Sequence, residues 1–173
     1  NTNRNGGLSV EKMEKYLKSY LGIKKIVWLD GVLKGDDTDG HIDNLARFVN
    51  PSTIVYIYEE DESDENYLGL KGIEETLKNT RDIDGKPFAV IPLPMPRAIK
   101  ENNFFLPASY ANFYIGNNVV LVPTFNDSND VIAQRTLKTY FPKKQIVPID
   151  SRILIKGQGG IHCITQQQPM YSD

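Results

Sequence analysis

The stretch NFYIGNNVVLV, residues 112–122, decides the fold, because two β-rich runs in it are joined by a turn signal. The runs 112–115 and 119–122 are rich in aromatic and β-branched residues, which favour strands. Residues 116–118 between them read Gly-Asn-Asn, residue types that adopt the left-handed conformations of tight hairpin turns. The stretch therefore predicts an antiparallel hairpin.

A helix and a further strand are predicted after this hairpin. Residues 127–130 read Asp-Ser-Asn-Asp, a favourable helix start, and we expect the helix to end near Tyr140. The β-rich run over residues 145–149 predicts the next strand. The order is β-β-α-β.

The same order occurs about 65 residues earlier in the chain. Its predicted elements are two strands, a helix and a third strand, over residues 42–49, 53–58, 65–78 and 88–91. Leu68, Ile73 and Leu77 form the predicted apolar stripe of the helix. Self-similarity of this kind indicates a repeat architecture whose units pack against one another.

A partial copy is predicted ahead of these two. Ser9 is a suitable N-cap for a helix that Gly22 would end, and residues 25–29 predict a strand with Trp28 in the core. We predict repeats over approximately residues 9–29 (partial), 42–92 and 112–150, then a final segment over 151–173. About two and a half copies is few for a closed ring, and the chain begins at Asn1 without a methionine. We therefore expect it to be part of a longer protein.

Composition narrows the class of protein. The 173 residues are 40% hydrophobic and 24% charged with a net charge of −2, ordinary values for one globular domain. No basic stripe favours nucleic acid, and no apolar run is long enough for a membrane span. With one cysteine and no secretory signal, the chain is predicted to be cytoplasmic.

Cys163 is the only cysteine, so it cannot form an intramolecular disulfide. A lone cysteine is most often a small buried hydrophobe. Against that reading, the preceding residues are rich in glycine, which lets a ligand approach the backbone. The distant His41 could pair with Cys163 in the fold, as in cysteine nucleophile sites.

The block GDDTDGHIDN, residues 35–44, gathers four carboxylates around His41. A solvated acidic turn would explain most of them, and a calcium loop is disfavoured because the 12-residue EF-hand pattern is incomplete. His41 and Asp43 alternate at the start of a predicted strand, so both side chains are expected on one face. A histidine beside a carboxylate acts as a general acid/base or as a metal ligand.

Two other readings of the charged residues remain open. A metal site of His41, Asp43, His162 and Cys163 is conceivable, but an adjacent His-Cys pair is poor chelate geometry. In an extended segment only one of the two would face the site. The run EEDESDE, residues 59–65, is predicted to be a solvated loop, or else an acidic rim that attracts a cationic substrate.

Three motifs carry a resemblance to a known family. They are Trp28-Leu29, DTDGHIDN (residues 37–44) and GIHCITQQQP (residues 160–169). With them the chain resembles the agmatine deiminase branch of the peptidyl-arginine deiminase family. The resemblance implies a pentein α/β propeller of five β-β-α-β units, of which this chain would be roughly the C-terminal half of one catalytic domain.

The resemblance also implies an activity. Agmatine would be hydrolysed to N-carbamoylputrescine and ammonia through a covalent cysteine thiouronium, as a step of putrescine and polyamine biosynthesis. Cys163 would be the nucleophile, His41 the general acid/base and Asp43 a guanidinium-binding carboxylate. Asp37 would lie near the substrate, and Gly160 would shape the approach to the nucleophile. No cofactor and no metal are implied.

The same resemblance implies that a second guanidinium-binding carboxylate comes from the other half of the protein, so this chain alone is expected to be inactive or severely impaired. A peptidyl-arginine or free-arginine deiminase would use the same residues. A non-catalytic module that binds polyamines or other cations is the alternative of a different class. Homo-oligomerisation is left open.

Overall fold

The computed structural model of the protein describes residues 5–36 and 40–168. In this part of the chain the helices are α1 (Val10–Leu21), α2 (Ile42–Leu45), α3 (Tyr67–Asn79) and α4 (Asn129–Tyr140). The strands are β1 (Ala46–Asn50), β2 (Thr53–Tyr58), β3 (Ala89–Pro94), β4 (Lys100–Glu101), β5 (Phe104–Phe105), β6 (Tyr114–Ile115), β7 (Val119–Thr124) and β8 (Gln145–Asp150). Short 3-10 turns lie at Asn5–Gly7, Leu154–Gly157 and His162–Ile164.

Two three-stranded sheets share one topology, which confirms the predicted β-β-α-β order. In the first sheet β2 lies between antiparallel β1 and parallel β3, and in the second β7 lies between antiparallel β6 and parallel β8. A parallel pair requires a long crossover, which α3 and α4 supply. The predicted hairpin pairs Tyr114 with Leu121, and the amide of Gly116 donates to the carbonyl of Val119.

One apolar cluster joins the two sheets. Its buried members are Val49, Val55 and Leu93 from the first sheet together with Phe113, Val120, Val122, Leu137 and Phe141 from the second unit. Burial of such side chains is worth roughly 1.5–3 kcal/mol each, before the entropy cost of ordering them. The packing fixes the two units against each other, so residues at their junction have defined neighbours.

The predicted helices are present. Ser9 caps α1 by accepting from the amide of Lys12, and Gly22 ends it in the left-handed region with φ of 65°. In α3, Ile73 and Leu77 are buried as predicted. Leu68 is 80% exposed, so its assignment to the apolar stripe was wrong: the buried face starts with Leu70.

The predicted strand over residues 25–29 was wrong. A strand needs a hydrogen-bonding neighbour, and no described strand runs beside this segment. Trp28 is 52% exposed rather than in the core, and its Nε1 donates to Glu14 Oε1 at 3.0 Å. Within residues 5–36 and 40–168, no helix has the length and apolar character of a membrane span.

The predicted strand over residues 42–49 was wrong at its beginning. Residues Ile42–Leu45 form one helical turn, α2, and pairing with β2 begins only at Ala46. The reason is that polar side chains in and before this turn bond to other segments and not to a strand neighbour. The amide of His41 donates to Asp36 Oδ2 at 2.7 Å, and buried Asn44 bonds to Asn112.

Candidate active site

The segment that carries Cys163 folds as a 3-10 turn, His162–Ile164, after the last strand. An extended segment would send adjacent side chains to opposite faces, which was the basis for expecting only one of His162 and Cys163 at the site. That expectation was wrong, because the turn brings both side chains to the same carboxylate. Cys163 is the free cysteine of the chain and is exposed.

Asp43 is that carboxylate. Its Oδ2 atom accepts hydrogen bonds from Cys163 Sγ at 3.2 Å and from His162 Nδ1 at 2.8 Å. Burial acts to raise the pKa of Asp43, but the hydrogen bonds from His162 and Cys163, together with the positive charge of Arg47, bring it below its usual value. Asp43 is therefore an anion at neutral pH, placed directly against the thiol.

The environment of Cys163 favours the neutral thiol in the resting state. Although Cys163 is exposed as a residue, partial withdrawal of its sulfur from water raises the pKa of the thiol, and the negative charge of Asp43 raises it further. Hydrogen bonds from Asn112 and from the backbone of Gly160 act in the opposite direction without cancelling that rise. A cation bound at Asp43 would neutralise the repulsion and release the thiolate.

Arg47 supplies a fixed positive charge behind this site. Its Nη1 donates to the carbonyl of Phe113 at 2.9 Å, and the guanidinium lies 4.9 Å from the centre of the Phe113 ring. Burial lowers the pKa of Arg47, whereas the neighbouring Asp43 and Cys163 act to raise it. Because it is held by a backbone carbonyl and a ring, Arg47 serves as a background charge and not as a direct donor to the sulfur.

His41 lies just before α2, not in a strand, so the predicted alternation with Asp43 on one strand face was wrong. The carboxylate described against its ring is Asp36, with Nδ1 and Oδ1 separated by 3.5 Å. The Asp36 side chain is buried and the His41 side chain is 31% exposed. The role of His41 as acid/base stays a prediction, and Asp37 lies outside the described residues.

Gly160 lies directly against Asn112. A Cβ added at Gly160 would come within 2.7 Å of Asn112 Cγ, closer than real Cβ atoms approach. The requirement for glycine is thus one of space, since a methyl group would push the two segments apart. Its predicted role in shaping access to Cys163 stays a prediction.

Asn112 and His162 are the residues that sequence reasoning did not place at the thiol. The sequence pattern predicts for Asn112 only the start of a strand, and for His162 only a metal ligand of poor chelate geometry. Asn112 Nδ2 donates to Cys163 Sγ at 3.2 Å and to Asn44 Oδ1 at 2.8 Å. No local sequence pattern predicts this contact, because Asn112 and Cys163 are 51 residues apart in the chain.

The predicted metal site and the acidic run at residues 59–65 do not form a second site of this kind in the described residues. In the part of the chain that the structure describes, no group of three or more His, Cys, Asp or Glu side chains is arranged to hold a metal ion. The acidic run at residues 59–65 bonds to itself and to neighbouring surface residues. Glu59 accepts from the amides of Glu60 and Asp61, and other acids of the run accept from Lys34, Asn66 and Tyr67. This favours the solvated-loop reading of that run.

Comparison with known proteins places the chain. Residues 1–169 match the model of the Porphyromonas-type peptidyl-arginine deiminases. The chain belongs to this family. A "Putative agmatine deiminase" of Legionella pneumophila (strain Paris) is 42% identical over 170 residues, which cover 98% of this chain and 49% of that protein. The agmatine deiminase of Pseudomonas putida (strain KT2440) is 36% identical over 187 residues, covering 98% and 51%.

Solved structures of family members superpose closely on this deiminase-family chain. A "Putative Arginine Deiminase" of Porphyromonas gingivalis gives a TM-score of 0.94 at 47% identity, covering 97% of this chain and 50% of that one. An agmatine deiminase of C. jejuni, solved with substrate bound, gives 0.86 at 40% identity, covering 94% and 47%. The predicted pentein α/β fold is thereby confirmed. The chain spans about half the length of the curated relatives it matches.

Proposed function

We propose that the protein hydrolyses the guanidino group of agmatine to N-carbamoylputrescine and ammonia, with Cys163 as the nucleophile. The observation that carries this proposal is the contact between Cys163 Sγ and Asp43 Oδ2. A thiol beside an ionised carboxylate is unusual for a nucleophile, because the carboxylate disfavours the thiolate. It is well suited to a substrate that is itself a cation.

The guanidinium of the substrate explains the arrangement. It is planar and permanently charged, and it offers paired N–H donors that match a carboxylate. On binding, these donors would replace Cys163 and His162 as the hydrogen-bond partners of Asp43. The two hydrogen bonds of the resting site are then exchanged for an ion pair with the substrate. The added positive charge lowers the pKa of the thiol, and substrate binding and formation of the nucleophile then assist each other.

The proposed chemistry has two stages. The Cys163 thiolate attacks the guanidinium carbon, and protonated His41 gives its proton to one nitrogen, which leaves as ammonia, so a thiouronium remains on the sulfur. His41 then takes a proton from water as its oxygen attacks the same carbon. The carbon–sulfur bond breaks, the thiolate is restored and the ureido product forms, its extra proton passing to the solvent.

The remaining residues have supporting roles in the proposal. Asp37 is an acidic residue near the substrate, and Gly160 keeps the approach to Cys163 open. A second guanidinium-binding carboxylate comes from the part of the protein that this chain does not span, so the chain alone is inactive or severely impaired. The free thiol of Cys163 requires a reducing compartment, which is consistent with a cytoplasmic enzyme of putrescine biosynthesis.

Arginine in peptides or as the free amino acid is the second candidate substrate. The match to the peptidyl-arginine deiminase model and the likeness to the "Putative Arginine Deiminase" of Porphyromonas gingivalis favour it. All three substrates share the guanidinium and differ at the other end. The contacts to that end decide specificity.

The test is an assay of ammonia and ureido product in the full-length protein with agmatine, free arginine and a peptidyl arginine, each beside the Cys163→Ala variant. We expect turnover of agmatine in the wild type and binding without turnover in the variant. The chain of residues 1–173 alone should show little or none. Equal turnover by Cys163→Ala and wild type would overturn the assignment of Cys163 as the nucleophile. Binding of agmatine without turnover in both proteins would leave a cation-binding module as the function.

A further inference from the structure

Asn112 is a buried side chain that contacts the sulfur of Cys163. It is 1% exposed and lies two residues before β6. Burying an amide is costly unless its donors and acceptor find partners. All of them are used here, which makes Asn112 a fixed support and not an adaptable contact.

Three hydrogen bonds define the orientation of this amide. Its Oδ1 accepts from the backbone amide of His162 at 2.8 Å, and its Nδ2 donates to Asn44 Oδ1 at 2.8 Å and to Cys163 Sγ at 3.2 Å. A backbone N–H can only donate, so the atom that faces His162 must be the oxygen. The NH₂ group therefore necessarily faces Cys163.

The neutrality of the Asn112 amide matters as much as its position. A lysine, an arginine or a protonated histidine would stabilise a thiolate, but its positive charge would also repel a guanidinium substrate. The amide stabilises the thiolate through a neutral N–H donor, which leaves the negative charges of Asp43 and Cys163 available to the substrate. Arg47, a fixed cation whose charge acts on Asp43 and Cys163, is directed to the carbonyl of Phe113.

We propose that Asn112 is a positioning residue that holds the Cys163 sulfur beside Asp43 and stabilises its thiolate by a neutral hydrogen bond. The inference rests on the proposed function for its catalytic consequence, though not for its effect on the thiol. The same amide fixes the His162–Ile164 turn through the amide of His162, so it sets both the place and the ionisation of the nucleophile. Consistently, its hydrogen bond lowers the pKa of Cys163 relative to the same site without it.

The decisive variants are Asn112→Asp and Asn112→Ala in the full-length protein. Aspartate keeps an oxygen for the amide of His162 but cannot donate to the sulfur or to Asn44, whereas alanine removes all three bonds. A hydrogen bond to a charged group is worth about 10- to 100-fold in an equilibrium or rate. We expect kcat for agmatine to fall by about that factor with little change in KM, and the thiol pKa to rise by about 1 to 2, read from thiolate absorbance against pH.

Asn129→Ala is the matched control. Asn129 Nδ2 also donates one hydrogen bond, to the carbonyl of Met95 at 2.8 Å, but it belongs to α4 and is not among the groups described around Cys163. This variant should leave the thiol pKa and kcat unchanged. If the Asn112 variants match the control in both measurements, the proposal is wrong even though the protein is a deiminase.

Two further outcomes separate this inference from the proposed function. If the wild type turns over no guanidine, the proposed function fails, and the thiol titration of the same variants still decides the role of Asn112. If the variants do not fold, the role of Asn112 can be tested by NMR of the wild type. The side-chain NH₂ signals of Asn112 should then shift with the titration of the thiol and should not shift in Cys163→Ala. Signals that do not move with thiol ionisation would overturn the proposal.

Discussion

The two β-β-α-β units begin in equivalent ways and differ in what their beginnings carry. Asn44 lies two residues before β1, and Asn112 lies two residues before β6. Both are buried, and they bond to each other at 2.8 Å. The first unit places Asp43 immediately before its asparagine, whereas the second places buried Ala111 there.

This difference separates the roles of repetition and of chemistry. The repeated apolar pattern builds both sheets and brings the two asparagines together. The residues before the two asparagines are not repeated: Asp43 in the first unit is an anion, and Ala111 in the second is a buried apolar residue. Asn112 uses its whole amide, while Asn44 Nδ2 is buried without a hydrogen-bond partner among the described residues. The second unit thus supplies the rigid support, and the first supplies the charge.

The sharpest way to break this comparison is to neutralise one acid in each unit. Asp43→Asn should lower kcat/KM for agmatine by about 10³-fold or more, because an amide cannot pair with a guanidinium as a carboxylate does. The variant should still fold, because the asparagine side chain has nearly the same shape as that of aspartate. Steady-state kinetics and thermal unfolding of the full-length variant measure the two effects.

Asp130, in α4, is the acid to neutralise in the second unit. It accepts from Tyr110 Oη at 2.7 Å and from the amides of Phe125 and Asp127, so its role is structural. Asp130→Asn should lower the free energy of unfolding by about 1–3 kcal/mol and leave kcat nearly unchanged. A large loss of kcat in Asp130→Asn with normal stability would show that the second unit also takes part in the chemistry.

A smaller effect is expected at the contact between the nucleophile segment and the second unit. Gly160→Ala forces a methyl group against Asn112 and should cost about 1–3 kcal/mol of stability by overpacking. The displaced Cys163 should lower kcat by about 10- to 100-fold. Kinetics together with denaturant unfolding would check both changes.

Gly69→Ala provides the matched control for this substitution. Gly69 lies in α3, and a Cβ there would meet no heavy atom within 4 Å. Alanine should therefore be neutral or stabilise the helix by up to about 1 kcal/mol, with kcat unchanged. If Gly160→Ala behaves like Gly69→Ala, the contact with Asn112 does not position Cys163.

The repeat itself could be predicted from the sequence, because its elements follow from local periodicity and turn residues. The hairpin around Gly116 and the capped helix α1 are examples. Residues 25–29 and 42–45 could not, because their conformation depends on partners far along the chain. Residues 25–29 have no strand neighbour in the described part, and Asn44 is held by Asn112.

The site could be predicted only as a set of residue types. Cys163 and Asp43 were singled out by their motifs, and the structure brings them together. The approach of His162 was missed because it depends on a 3-10 turn, which the pattern of side chains does not reveal. Asn112 was missed because an asparagine before a strand is ordinary, and only the tertiary contact with sulfur distinguishes it.

The smallest effect concerns the charged side chains that stabilise the helix of each unit. In the first unit Glu74 of α3 bonds to Lys71 and Lys78, whereas in the second Lys138 of α4 donates to the carbonyls of Pro142 and Lys144. The lysines on either side lower the pKa of Glu74 to about 2. A carboxylate with a depressed pKa stabilises the fold above its unfolded value and loses that contribution as the pH falls through the folded value.

Glu74→Gln should therefore lower the free energy of unfolding at pH 7 by about 1 kcal/mol, a modest amount because both lysine partners are exposed to solvent. The difference from wild type should shrink between pH 4.5 and about 2, as Glu74 is protonated in both states. Glu75→Gln, at the exposed neighbouring position, should cost less at pH 7. Denaturant unfolding at several pH values measures this. A pH-independent cost in Glu74→Gln would mean that the ion pairs of Glu74 within α3 do not stabilise the fold.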